Sequence, residues 1–206
     1  MKFFNHKTHI VPQESSPNAE PQQRGTLEDS VTQPPNPLAR PGIHVRGLRE
    51  LNAESVHVVD FVVSITDGPN IKIPFEIIPR KVIRVFFEDT EFPDQDEYLQ
   101  MRNGVHRVLA AIRSRGLTPE DRLLIHCHAG VSRSAALAWA IMVQMGQDIP
   151  GAFEQLWKAR PKIWPNRIVL NIADSYLGLN GKLSQYGEKV HLEIEANRRD
   201  GTGGYC

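Results

Sequence analysis

Three short apolar runs constrain the fold of this chain most. Val58 to Ile65 (VVDFVVSI) is rich in β-branched and aromatic residues and stops at Thr-Asp-Gly-Pro, the pattern of a buried strand ended by a turn. Val82 to Phe87 (VIRVFF) repeats the signature, and Leu123 to His126 (LLIH) reads as a central strand covered on both faces. Between and after them the period changes. Asp96 to Arg115 places Leu99, Val105, Val108, Leu109 and Ile112 at helical spacing, with Gly116 closing the segment. Ser134 to Met145 (SAALAWAIMVQM) is apolar on nearly every side, which predicts a buried helix carrying Trp139 into the core. Further helices are expected from Ile149 to Ala159, with Trp157 in the core, and from Asn166 to Leu179. Strands alternating with helices predict a single α/β domain, its central and mainly parallel sheet flanked by helices.

The chain of 206 residues suits one core of ordinary domain size. Prolines at 12, 17, 21, 34, 35, 37 and 41, among Gln, Glu, Ser and Asn, read as a disordered leader over residues 1–41. The folded domain is expected over 42–186, followed by a flexible polar tail over 187–206 that closes on GTGGYC.

Basic and acidic side chains number 24 each, so no sequence-independent attraction to nucleic acid or to an anionic membrane is built in. No run approaches the roughly 18 to 20 apolar residues of a membrane span, and the opening MKFFNHKTHIVPQ lacks the apolar core of a signal peptide. The two cysteines, Cys127 and Cys206, do not make a disulfide framework. A reducing, cytoplasmic setting is expected, in which Cys127 remains a thiol.

Cys127 lies in the stretch His126 to Ser134, HCHAGVSRS, on the turn between the LLIH strand and the buried helix. In open α/β sheets ligands collect there, beyond the carboxyl ends of strands and at helix N-termini. Successive backbone N–H groups in such a turn can converge as an anion nest, and Gly130 permits a conformation that a side chain would forbid. Arg133 adds a guanidinium with paired donors matched to two phosphate oxygens. A thiol in such surroundings is acidified from about 8.5 into a range of roughly 3.5 to 7.5, and a thiolate beneath a bound phosphate is a nucleophile. Metal ligation by His126, Cys127 and His128 is disfavoured, because neighbours on an extended segment point to opposite sides and no second Cys/His cluster supplies the remaining ligands. His57 and His106, single histidines in apolar-periodic segments, are read as structural.

HCHAGVSRS resembles the His-Cys-x5-Arg-Ser/Thr loop of the cysteine-dependent protein tyrosine phosphatase superfamily, and the compact chain is similar to its dual-specificity branch and the bacterial and phage relatives. The likeness runs from about Gly42 to Leu183 and includes strands ending VSITD and FFEDT and the later segment RPKIWPN. The resemblance implies that Cys127 attacks phosphorus, forming a phosphocysteine intermediate. It implies that Arg133 and the backbone amides of His128, Ala129, Gly130, Val131, Ser132 and Arg133 hold the phosphate, and that Ser134 stabilises the departing thiolate. His126 would shape the loop from behind, and Trp164 and Asn166 would brace it. No metal or cofactor is implied.

A general acid must reach the leaving oxygen. FFEDTEFPDQD offers Asp89, Asp94 and Asp96: strand register favours Asp89, whereas the Phe-Pro-Asp spacing, similar to the Trp-Pro-Asp loop of larger tyrosine phosphatases, favours Asp94. A carboxylate not used this way would solvate the loop or cap the following helix.

The expected function is hydrolysis of phosphotyrosine, with phosphoserine and phosphothreonine as further protein substrates. The alternatives are a phosphatase of inositol phosphates, phosphoinositides or RNA 5′ ends, and a phosphate-binding module without turnover. A loop interior of Ala129, Val131 and Ser132, without lysine, argues against highly charged substrates. The expected partner is a phosphorylated protein or peptide, with no nucleic acid or membrane, and the chain is expected to be a monomer.

Overall fold

Strand β1 (Gly42–Gly47), β2 (Phe61–Thr66), β3 (Val82–Phe86) and β4 (Arg122–Cys127) form a four-stranded sheet in the order β1-β4-β2-β3. Every pairing is parallel; β4 lies between β1 and β2, with Val45 opposite Ile125 and Val63 opposite the same residue. All six residues of β2 and the last five of β4 are buried, as strands covered on both faces require. This is a computed structural model, and it describes residues 36–199 apart from 76, 77 and 79. The expectations for the leader up to residue 35 and for the tail from residue 200 lie outside the described residues.

Five helices follow the pattern of the sequence: α1 (Gln95–Ser114), α2 (Arg133–Gln144), α3 (Ile149–Ala159), α4 (Arg167–Leu177) and α5 (Lys182–Arg199). The α1 helix starts where Asp94 accepts the Glu97 amide while the Glu97 carboxylate accepts the Asp94 amide, a reciprocal cap. The first ten residues of α2 are buried, so this helix forms the middle of the larger core, against β4 and between its neighbours. Buried side chains from all five helices join Phe61, Val63, Ile65, Leu123 and Ile125 on one face of the sheet.

The opposite face is closed differently. Val62, Val82 and Leu124 meet Leu38, Leu51, Val56, Val59 and Phe75, with no α-helical residue among them. Fully exposing side chains of this size costs about 1.5–3 kcal/mol each, so this face needs its cover.

Two boundaries therefore differ from the sequence expectation. The ordered chain begins before residue 42: Pro37–Ala39 form a 3₁₀ turn whose Leu38 is buried in the second core. One leucine among prolines carries no periodic signal, and only the uncovered sheet face explains its burial. At the other end the chain does not loosen at Gly187, because α5 runs to Arg199. Leu183, Val190 and Ile194 recur about once or twice per two turns and are buried, and a Cβ on Gly187 would stand 2.6 Å from Leu170 Cδ1. Asp174 fixes the start of α5 by accepting the amides of Gly181, Leu183 and Ser184. β1 carries no strand signal in the sequence, since of its side chains only Val45 is fully buried.

Candidate active site

The carboxyl ends of β2, β3 and β4 converge on one pocket of about 470 Å³, lined by Asp67, Glu88, Asp89, His128, Ala129 and Arg133. Cys127 ends β4 and is buried, 1 % exposed, beneath the loop that leads to α2. The Gly130 amide donates to Cys127 Sγ at 3.3 Å, and Ser134 Oγ lies 3.1 Å from the same sulfur. Both groups are placed to donate to a sulfur anion.

Gly130 makes the turn possible in two ways. Its φ is +70°, and a Cβ there would stand 2.4 Å from the Arg46 carbonyl carbon and the Gly47 nitrogen. The loop thus lies directly on β1. Arg160 holds it from the other side: Nε donates to the Gly130 carbonyl at 2.6 Å and Nη2 to the Ala129 carbonyl at 3.1 Å. Glu50 completes the brace, accepting from Arg160 Nη1 at 3.1 Å and from the Gly47 amide. Arg160 thus supports the loop and pairs with a carboxylate at once.

Arg133 opens α2 with its side chain 3 % exposed. One nitrogen, Nη1, donates to the Phe87 carbonyl at 2.6 Å and to the Asp67 carboxylate. Its Nε lies 3.6 Å from Asp89 Oδ2 and has no hydrogen-bond partner among the described residues. The guanidinium is thus oriented through one nitrogen while another donor is left over, which suits an incoming anion.

Asp89 is held beside it. Its Oδ1 accepts from Ser132 Oγ at 2.7 Å and from Asn166 Nδ2 at 3.1 Å. Asn166 is fully buried, donates also to the Thr90 carbonyl at 3.0 Å, and caps α4 by accepting the Val169 amide. The preceding Trp164 donates its amide to the Val131 carbonyl at 2.9 Å, so this segment braces the loop as the sequence suggests. Behind it, His191 of α5 stacks on Trp164 at 4.1 Å and bonds the Pro165 carbonyl through Nε2 at 2.8 Å.

Asp94 and Asp96 do not line the pocket: Asp94 caps α1 and Asp96 stands in that helix's first turn. His126 is fully buried under Phe75, with ring centroids 5.8 Å apart, and neither ring nitrogen has a hydrogen-bond partner among the described residues. Burial pushes its pKa down to about 4, so the ring is neutral. His106 packs against Tyr176 at 4.8 Å, away from the pocket.

Sequence reasoning passes over Asp67 and Glu50. A signal existed for Asp67, which directly follows β2, the neighbour of β4, where side chains at parallel strand ends share one crevice. Glu50 reaches Arg160 only through the tertiary fold and leaves no local pattern.

No family model matches the chain. An alignment 106 positions long, covering 44 % of the chain, is 33 % identical to Protein phosphatase Slingshot homolog 3 of Mus musculus. Over this part the chain is similar to a protein phosphatase. The aligned part spans only 16 % of that phosphatase's length. Among solved structures, human DUSP28 is 21 % identical with a TM-score of 0.47, covering 68 % of this chain and 94 % of that one. A mouse putative dual specificity phosphatase complexed with zinc tungstate is 21 % identical with a TM-score of 0.48, covering 76 % and 95 %. PTPMT1 in complex with PI(5)P is 17 % identical with a TM-score of 0.48, covering 66 % and 90 %. No helix among the described residues is long and apolar enough to cross a membrane.

Proposed function

We propose that the chain is a cysteine-dependent phosphatase of phosphorylated proteins, acting on phosphotyrosine and also on phosphoserine and phosphothreonine. The observation that carries this reading is Cys127 Sγ, with the Gly130 amide and the Ser134 hydroxyl on it, at the foot of a loop whose Arg133 keeps an Nε without a hydrogen-bond partner among the described residues.

In the first step the phosphoryl oxygens take the loop amides and the Arg133 fork. Cys127 Sγ attacks phosphorus, the S–P bond forms as the P–O ester bond breaks, and protonated Asp89 gives its proton to the leaving oxygen. In the second step water attacks phosphorus, the Asp89 carboxylate takes its proton, and the S–P bond breaks to release phosphate. Ser134 Oγ, 3.1 Å away, donates to the sulfur as it departs with the electron pair. Asp89 suits the acid role because it lines the pocket 3.6 Å from Arg133 Nε, whereas Asp94 is engaged with the Glu97 amide. The loop amides and the guanidinium supply the charge stabilisation, so no cofactor enters the scheme. A monomer working in the reducing cytoplasm, where the free Cys127 thiol persists, belongs to the same proposal.

The purified chain is expected to hydrolyse p-nitrophenyl phosphate in the presence of a chelator and to be inhibited by vanadate. Cys127→Ser should retain phosphate binding and lose turnover. A metal requirement, or turnover surviving Cys127→Ser, would overturn the proposal.

A further inference from the structure

The pocket that receives the phosphate is unusually acidic for an anion site. Three acidic side chains, Asp67, Glu88 and Asp89, line it with His128 and the single guanidinium of Arg133; Asp67 accepts from that guanidinium and Asp89 stands 3.6 Å from its Nε, which leaves Glu88 unengaged among the described residues. Yet Arg133 is 97 % shielded in its side chain and retains a buried Nε without a hydrogen-bond partner among the described residues, so an anion is drawn to this one point. Glu88 and Asp89 also open a segment that is acidic throughout. Residues 88–97 (EDTEFPDQDE) hold six carboxylates and no lysine or arginine. Some are already engaged: Glu91 pairs with Arg167 at 3.4 Å, and Asp94 and Glu97 cap α1. Glu88 and Asp96 are exposed and have no ion-pair partner among the described residues.

A phosphate group brings about −1.5 to −2 charges to this place. The Arg133 site compensates them only at the floor. Any further negative charge on the substrate lies against the acidic rim and is repelled, and a positive charge there is attracted. The geometry points to a substrate class: we propose that the pocket selects phosphopeptides carrying lysine or arginine next to the phosphorylated residue and rejects acidic peptides and polyphosphorylated inositols. The inference rests on the phosphatase reading of the same site and adds its specificity.

The test uses the full chain and three phosphotyrosine peptides identical except for flanks of Lys/Arg, Ala/Ser or Asp/Glu, together with a soluble inositol polyphosphate. At low salt kcat/KM is expected to be about tenfold higher for the basic than for the acidic peptide, from opposed charges about 8 Å apart in a largely aqueous rim. At roughly 0.5 M salt the ratio should shrink severalfold, because charges at this separation are then screened. Glu88→Lys should reduce or invert the ratio; Glu88→Gln, a milder change at the same exposed position, should reduce it. Turnover of p-nitrophenyl phosphate by the wild type separates the two readings. With that turnover present, equal rates on the three peptides, an acidic preference or faster hydrolysis of the inositol polyphosphate would overturn the specificity inference alone. No turnover on any phosphate would overturn the phosphatase reading and this inference with it.

Discussion

Replacing Gly130 by alanine adds one methyl group, and the structure sets what that methyl must do. The Cβ would stand 2.4 Å from the Arg46 carbonyl carbon and the Gly47 nitrogen, where ordinary contact begins near 3.4 Å, so the loop and β1 must separate by about 1 Å. Neither partner is a flexible side-chain end that could turn away. A displacement of that size at a reacting group costs on the order of 10²-fold in rate. The φ of +70° adds about 1–2 kcal/mol of strain for a residue with a Cβ. In a domain of this size that strain lowers Tm by roughly 2–8 °C. Gly116→Ala is the matched control: its φ is +61° and nothing lies within 4 Å of the added Cβ, so it carries the strain without the clash. Both variants should lose stability in thermal melts, and only Gly130→Ala should lose kcat/KM toward p-nitrophenyl phosphate. Wild-type kcat/KM in Gly130→Ala, or an equal loss in Gly116→Ala, would refute the reasoning that loop placement on β1 controls turnover.

Asp89→Asn should cost on the order of 10² to 10⁴ in kcat with phenyl or alkyl phosphates and much less with a good leaving group. Asp94→Asn keeps a capping side chain and should change neither rate, so a leaving-group-dependent loss there would transfer the acid role to Asp94. Arg160→Lys keeps the charge but cannot reproduce the fork on the Gly130 and Ala129 carbonyls; it should lower both Tm and kcat/KM, and wild-type values in both assays would show that the brace is dispensable. His126 links stability to pH. Its folded pKa of about 4 lies below the unfolded value of 6.5, so the unfolded chain binds more protons between them; the contribution is complete above 6.5 and is lost as pH falls toward 4. From pH 7.5 to 4.5 the loss attributable to this ring is on the order of 2–3 kcal/mol, read as the difference in urea-unfolding free energy between wild type and His126→Phe. Equal pH dependence in the two proteins would remove His126 from the account.

The parts of this structure that were legible in the sequence are those with a period or a fixed spacing. The runs at 58–65, 82–87 and 123–126 became β2, β3 and β4 within a few residues, and the helical spacing of Val105, Val108, Leu109 and Ile112 became the buried face of α1. The loop could be read because cysteine, glycine, arginine and serine fall at the offsets of the loop it resembles, between an apolar strand and a buried helix. Leu38 and Glu50 were not legible, because each owes its place to a partner far along the chain, the second sheet face and Arg160; Asp67 had a signal in its strand end, but its contact with Arg133 is long-range too. The end of the domain is hidden in the sequence for a related reason. A helix that packs through Gly187, Val190 and Ile194, with long polar side chains elsewhere, looks like a polar tail until the surface it covers is known. The choice between Asp89 and Asp94 illustrates both limits, since spacing favoured one and the local cap on α1 engages it, while Asn166 and Ser132 hold the other in the pocket.

The central claim is that phosphorus is bonded to Cys127 Sγ between the two chemical steps. The direct measurement is a rapid denaturing quench of the chain during turnover of a radiolabelled phosphotyrosine peptide, followed by digestion and mass spectrometry. The phosphoryl group is expected on the peptide containing Cys127, accumulating in a variant of Asp89 when the substrate has a good leaving group, with no label in Cys127→Ser. Turnover with the label on another residue, or with no covalent label under any of these conditions, would contradict it.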